Sequence, residues 1–145
     1  MPLTQIKAER LGDDRVCADQ GRRRQMILIV ENDCAVRDSL QRLLDCMGLE
    51  ARGFPSSEAF LEGWRPADAD CVVIDANMPA MNGLDLLEEL RRCGDEVPVI
   101  VVTGRPTATN AARANAAGAL AVLEKPYKVA EIVALVRAAS EKKPG

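Results

Sequence analysis

The sequence predicts an α/β fold: a doubly wound (βα)5 domain with five parallel strands in one sheet. Three observations carry this prediction. The runs Ile27–Val30, Cys71–Ile74, Val99–Val102 and Leu120–Leu123 are short and almost continuously apolar, as expected of parallel strands covered on both faces. The stretches between them carry apolar residues at helical spacing. Each run also ends on a distinctive polar residue: Glu31-Asn32-Asp33, Asp75, Thr103 and Glu124-Lys125 respectively. In an open parallel sheet the carboxyl ends of the strands share one edge, and ligands bind there. The polar residues should therefore converge.

Each element has a local justification. The first strand is 26–30. Val36, Leu40, Leu43, Leu44 and Met47 then mark one face of a helix over about 34–47, and Gly48 suits its C-terminal cap. A second strand over 49–54 turns at Phe54-Pro55 into a helix with Ser56 as N-cap. The third strand, 70–75, passes through a loop with Pro79 and Gly83 into a helix at 84–92. The fourth strand is 97–102, after which Pro106 is placed to open a helix ending near 117 at Gly118. The fifth strand, 120–124, leads to a last helix over 128–141, with Val129, Ile132, Val133 and Val136 as its buried stripe.

The organisation is one domain over 26–141, a polar and aperiodic extension over 1–25, and a tail over 142–145. Composition suggests that the extension is disordered. Its six basic and four acidic residues give it a net charge of +2, which leaves −5 for the remainder of a chain at −3 overall. Arg22-Arg23-Arg24 without neighbouring aromatics is a weak nucleic-acid signal, and no nucleic-acid binding by the domain is expected.

A chain of 145 residues with 48% hydrophobic, 28% charged and only 3% aromatic residues implies an aliphatic, Ala-rich core. No apolar run approaches the ~20 residues that cross a bilayer, so no membrane contact is expected. The five cysteines, at 17, 34, 46, 71 and 93, form no Cys-x-x-Cys pair. They read as reduced, mostly buried residues of a cytoplasmic protein. Histidine is absent, which excludes Ser-His-Asp and Cys-His catalysis on this chain. No Gly-rich phosphate loop follows the first strand, and aromatics are too few to sandwich a flavin.

The segments Leu28-Ile-Val-Glu-Asn-Asp33, Val73-Ile-Asp-Ala-Asn-Met-Pro-Ala-Met-Asn-Gly83, Val101-Val-Thr-Gly104 and Glu124-Lys-Pro126, in this order and on these strands, resemble the receiver domain of two-component response regulators. Ser57–Leu61 further resembles receivers attached to helix-turn-helix output domains of the nitrogen-fixation and nitrate-response type. The resemblance implies a flavodoxin-like receiver fold that is not an enzyme. It also implies a phosphorelay function in which Asp75 accepts a phosphoryl group from the phosphohistidine of a sensor histidine kinase or histidine phosphotransfer protein. Lys125 would pair with the phosphoryl oxygens, and Thr103 would donate its hydroxyl to one of them, since phosphoryl transfer relies on positioning and charge neutralisation. The Lys125-Pro126 bond is often cis in such proteins.

The resemblance further implies Mg2+, held by Glu31, Asn32, Asp75 and the backbone carbonyl of Asn77. Two departures stand out. Asn32 occupies a position that is normally acidic, and loss of that charge weakens the site by on the order of 1–4 kcal/mol at an effective dielectric of ~20. Asp33 compensates only in part, because it is directed elsewhere. Weak Mg2+ binding is expected, with slower phosphorylation or an altered phosphoryl lifetime. Val122 stands where receivers usually carry Tyr or Phe, and Tyr127 is not equivalent, so the Ala-rich helix over 107–117 becomes the candidate responsive element. The resemblance places the partner surface, for a downstream protein or a second copy, on the fourth helix, fifth strand and fifth helix. For a stand-alone receiver, output is expected through protein–protein contacts; for a receiver excised from a larger regulator, a DNA-binding half lies outside this sequence. The alternative is a pseudo-receiver, the same fold used as a phosphorylation-independent interaction module.

Overall fold

The computed structural model of the protein describes residues 25–65 and 69–142. Residues 1–24 and 143–145 of the two expected terminal segments, and Cys17, lie outside the described residues. The strands are β1 (Met26–Val30), β2 (Glu50–Phe54), β3 (Cys71–Asp75), β4 (Val99–Thr103) and β5 (Ala121–Glu124). They form one sheet in the order β2-β1-β3-β4-β5, with every neighbouring pair parallel. The helices are α1 (Cys34–Cys46), α2 (Ser57–Gly63), α3 (Gly83–Arg92), α4 (Ala108–Ala116) and α5 (Val129–Lys142). This is the predicted fold class.

Alternation along the strands divides the core in two. Leu28, Val30, Val72, Ile74, Val99 and Val101 face Phe60 of α2, Leu84, Leu87 and Leu90 of α3, and Ala114 of α4. Ile27, Ile29, Cys71, Val73, Ile100 and Val102 face Leu40 and Leu44 of α1 together with Ile132, Val133 and Val136 of α5. The chain leaves β1 toward β2 and returns on its other side as β3. The crevice at this reversal opens above the carboxyl ends of β1 and β3, where Glu31 and Asp75 stand.

Local chemistry sets the element ends. Asp33 N-caps α1, its carboxylate accepting from the N–H groups of Ala35 and Val36. Gly48, at φ +87°, closes the helix in the left-handed conformation, donating to the Asp45 carbonyl while Leu49 N–H bonds the Leu44 carbonyl. Ser56 caps α2 as expected, and an Asn82–Asp85 capping box opens α3. Pro106 does not open α4. Thr107 does, because its hydroxyl accepts from Asn110 N–H, and Pro106 lies one residue before that cap.

Two further expectations are corrected. Of the five apolar residues assigned to the inner face of α1, only Leu40 and Leu44 are buried; Val36, Leu43 and Met47 are 38%, 48% and 44% exposed. At about 100° per residue, these three share one side of the apolar stripe, and only the other side meets the sheet. The exposed side borders an open groove of about 600 Å³ lined by Val36, Leu43, Lys125, Pro126, Tyr127 and Val129, among others. The cysteines are not mostly buried: Cys71 is, within β3, whereas Cys34, Cys46 and Cys93 are exposed. The exposed three sit at helix ends, where the core no longer covers them.

Helix α4 is attached differently from its neighbours. Ala114 is its one buried residue, so apolar burial gives it little hold. Arginines supply the rest. Arg113 Nη2 lies 2.8 Å from Glu88 Oε1 and 3.1 Å from Asp85 Oδ1, both on α3. Arg91 of α3 donates to the carbonyls of Ala117 (2.7 Å) and Gly118 (3.2 Å) at the far end of α4. The bidentate contact with Arg113 holds the Glu88 carboxyl below its ordinary pKa.

Partly exposed ion pairs each contribute no more than about 1 kcal/mol and weaken with salt. Arg113→Ala should therefore accelerate amide hydrogen exchange across 108–116 by up to about fivefold while leaving β3 and β4 unchanged. High salt should reproduce the effect in the wild type.

Candidate functional site

The carboxyl ends of β1, β3, β4 and β5 bring the predicted polar residues into one network. Asp75, the last residue of β3, is 3% exposed, and Glu31, immediately after β1, is 5% exposed. Lys125 follows β5 and reaches both, with Nζ 3.1 Å from Asp75 Oδ2 and 3.7 Å from Glu31 Oε1. The other Asp75 oxygen accepts from Asn77 N–H at 2.9 Å. Thr103, buried at the end of β4, donates its hydroxyl to the Asn77 side-chain oxygen at 3.1 Å and accepts from Arg105 N–H at 3.0 Å. Asn77 thus touches Asp75 through its backbone and Thr103 through its side chain.

Electrostatically the cluster is underneutralised, with two carboxylates sharing one ammonium. Burial raises the Glu31 pKa above its ordinary value, and the Asp75 charge raises it further. The Asp33 N–H, which bonds Glu31 Oε2 at 3.1 Å, and the Lys125 charge pull the other way. Burial likewise raises the Tyr127 hydroxyl pKa, and the charges of Glu31 and Asp75 add to the effect. Asn32 is exposed on the loop between Glu31 and Asp33. Asp33 is committed to capping α1, which is the physical reason it is directed away from the site.

The expected donors are hard oxygens, the carboxylates of Glu31 and Asp75, the amide oxygen of Asn32 and the backbone carbonyl of Asn77, of which the structure brings the two carboxylates together at Lys125. That chemistry suits Mg2+, which keeps several of its own waters. Among the described residues no group of three or more acidic, histidine or cysteine side chains is placed to hold a metal. The set fits a hydrated magnesium ion rather than a closed protein cage.

Backbone packing completes the site. A Cβ on Gly83 would lie 2.3 Å from the Asp75 carbonyl oxygen and 2.6 Å from Ile74 Cγ2. The start of α3 can therefore rest against the end of β3 because residue 83 has no side chain. The loop between them is also held from α2, where buried Ser57 donates to the Met81 carbonyl at 2.9 Å and Glu58 accepts from Met81 N–H at 3.4 Å. The Lys125-Pro126 peptide is cis. Val122 is half-buried against the core cluster under α3 and α4. The tie from Ser57 to Met81 escaped the sequence reading, since the two lie 24 residues apart.

The response regulator receiver domain family matches residues 27–137 of the chain. This chain belongs to that family. Transcriptional regulatory protein FixJ of Azorhizobium caulinodans is 43% identical over 110 residues, covering 76% of this chain and 52% of that protein. Response regulator protein TodT of Pseudomonas putida is 32% identical over 122 residues, covering 84% and 54% respectively. The chain thus spans about half the length of the curated relatives it matches. The crystal structure of FixJ-N superposes with a TM-score of 0.74 at 32% identity, covering 85% of this chain and 98% of that one. Vibrio cholerae chemotaxis protein CheY4, at 20% identity and a TM-score of 0.74, shares the fold. No described helix of the receiver is long and apolar enough to cross a membrane.

Two outcomes test this geometry. Gly83→Ala should destabilise the receiver by about 1–3 kcal/mol, the usual range for overpacking, seen as a lower urea midpoint with an unchanged slope. Glu31→Gln should stabilise it in metal-free buffer. A carboxyl with a raised folded-state pKa binds its proton more tightly in the native state, so wild-type stability falls as pH rises above the ordinary value of 4.5. The advantage of the variant should be full above the raised pKa and fade as pH drops through 4.5, in urea unfolding repeated across pH.

Proposed function

We propose that this receiver accepts a phosphoryl group on Asp75 from the phosphohistidine of a sensor histidine kinase or a histidine phosphotransfer protein, and passes the signal on through protein–protein contacts. The observation that carries this reading is the Asp75–Lys125 pair beside Glu31 at the sheet's switch point, within one hydrogen-bond network that includes Asn77 and Thr103. An Asp75 carboxylate oxygen attacks phosphorus as the phosphorus–nitrogen bond to the donor imidazole breaks, and the bond electrons leave with the imidazole. The product is an acyl phosphate on Asp75. Lys125 remains beside the transferred group as a fixed cation. Thr103 exchanges its Asn77 partner for a phosphoryl oxygen. Gly104, exposed and without a side chain, leaves the approach open.

Mg2+, when bound, neutralises charge on the transferring oxygens. Glu31, Asp75, the Asn32 amide oxygen and the Asn77 carbonyl would hold it. With a neutral amide at 32, the binding is weak. The donor protein docks across the apolar groove between α1 and the start of α5, which ends at Lys125 itself. Output runs through α4, β5 and α5, with α4 as the responsive element because arginine pairs rather than apolar burial hold it. This face also serves a second copy of the chain if phosphorylation drives dimerisation. A second reading, a phosphorylation-independent binding module, draws on Asn32 and Val122.

Incubation with acetyl phosphate, followed by intact-mass spectrometry, decides between them. A phosphoryl adduct that requires Mg2+ and vanishes in Asp75→Asn is the expected result. Asn32→Asp should lower the half-saturating Mg2+ concentration about fivefold or more, the lower end of the charge effect. An adduct in Asn32→Asp with none in the wild type would instead establish the binding module.

A further inference from the structure

Arg37 on α1 and Gly53 in β2 form a contact that the proposed reaction does not by itself require. Arg37 Nη1 donates to the Glu31 carbonyl at 2.7 Å. The Glu31 N–H donates to the Phe54 carbonyl at 3.0 Å. Both backbone polar groups of Glu31 are therefore held, one by a strand and one by a side chain from the following helix. The Glu31 side chain in turn accepts from Asp33 N–H, so anchoring this peptide also places the acidic end of the loop and its neighbour Asn32.

On its way to the carbonyl the Arg37 stem lies against β2 at Gly53. A Cβ at residue 53 would lie 2.6 Å from Arg37 Cγ and 2.7 Å from Cδ. Glycine weakens a strand interior, and its presence there commonly marks a close approach by another group. Gly53 has no left-handed backbone to explain it, and it pairs in register with Ile29 of β1. Space for the Arg37 stem is the physical reason for glycine at this position. The planar guanidinium also suits a long reach to a single carbonyl, since it is charged at every working pH and presents several donors.

We propose that Arg37 is a positioning residue for the Glu31–Asn32 side of the acceptor site, and that Gly53 is the gap in β2 that admits it. The inference rests on the proposed phosphoryl-acceptor function. Its role is to keep Glu31 and Asn32 in place before a cation and phosphodonor arrive, at a site already short of one carboxylate.

The test uses the full chain with Arg37→Met, which keeps an apolar stem but no donor, with Arg37→Lys, which keeps a donor, and with Gly53→Ala. In metal-free protein, amide exchange at Glu31 and Asp33 should quicken about tenfold in Arg37→Met and in Gly53→Ala, with β3 and β4 unchanged. In acetyl phosphate labelling, both variants should raise the half-saturating Mg2+ concentration about tenfold while leaving the acetyl phosphate dependence at saturating Mg2+ as in wild type. Arg37→Lys should recover most of that loss, which a purely structural contact would not predict. In an Arg37→Ala background, where no stem lies against the strand, Gly53→Ala should add nothing further. A folded Arg37→Met protein with wild-type exchange at Glu31 and Asp33 and wild-type Mg2+ dependence overturns the proposal. If the wild type takes no phosphoryl group at all, the functional reading fails, and the exchange at Glu31 and Asp33 decides the role of Arg37 alone.

Discussion

Two buried carboxylates, Glu31 and Asp75, face each other across the switch point of the sheet with a single ammonium, Lys125, to hold them there. At ~4 Å and an effective dielectric of ~20, each opposite-charge contact is worth roughly 4 kcal/mol before desolvation, and the Asp75 charge acts on Glu31 in the opposite sense. Burial first, and the Asp75 charge after it, leave the Glu31 pKa raised despite the Asp33 N–H and Lys125. Much of the surrounding structure serves to hold these groups where solvent would otherwise separate them. The parallel strands bring their ends to one edge, Asp33 N–H and Asn77 N–H each take one carboxylate oxygen, and Lys125 is delivered by β5 from the opposite side. A site left with an excess of negative charge is one that a cation or a bound phosphoryl–cation pair would relax.

The loops above that edge are pinned with little freedom. Gly83 brings α3 against the Asp75 carbonyl, Ser57 and Glu58 secure Met81 from α2, and Arg37 secures the Glu31 peptide from α1. The first two ties hold the loop between β3 and α3 and the third holds the loop after β1, so Asp75 and Glu31 are flanked by fixed backbone. Preorganisation of this kind suits phosphoryl transfer, where the protein contributes position and charge rather than covalent chemistry.

Against that rigid edge, α4 stands apart. Its neighbour α3 buries Leu84, Leu86, Leu87 and Leu90, whereas α4 buries Ala114. Its attachment is carried by Arg113 and Arg91, and partly exposed ion pairs yield more readily than packed side chains. Thr103 sits at the end of β4, immediately before the loop into α4, and its hydroxyl is held by Asn77. Thr103 and the helix with the least apolar burial are thus joined by the short stretch 104–107.

The apolar runs and the polar residues that end them were enough to determine the five-stranded parallel fold, the order of its elements, and the convergence of Glu31, Asp75, Thr103 and Lys125. Strand burial follows from composition, and strand direction follows from the alternation with helices. The caps at Ser56 and Gly48 were legible for the same reason, because capping is chemistry between near neighbours. What only the tertiary structure decided lies in contacts across long sequence separations. The side of the α1 stripe that meets the sheet, which leaves Val36, Leu43 and Met47 exposed, depends on how α1 sits against α5. The exposure of Cys34, Cys46 and Cys93 depends on where the core ends. The reason for glycine at 53 and 83 is the approach of Arg37 and of the Asp75 carbonyl, and Asp33 is withdrawn from the site by its bond to its own helix. Hydrophobic periodicity specifies which face of an element is buried, but how far that burial extends and which polar groups meet above it are set by the packing of elements distant in sequence.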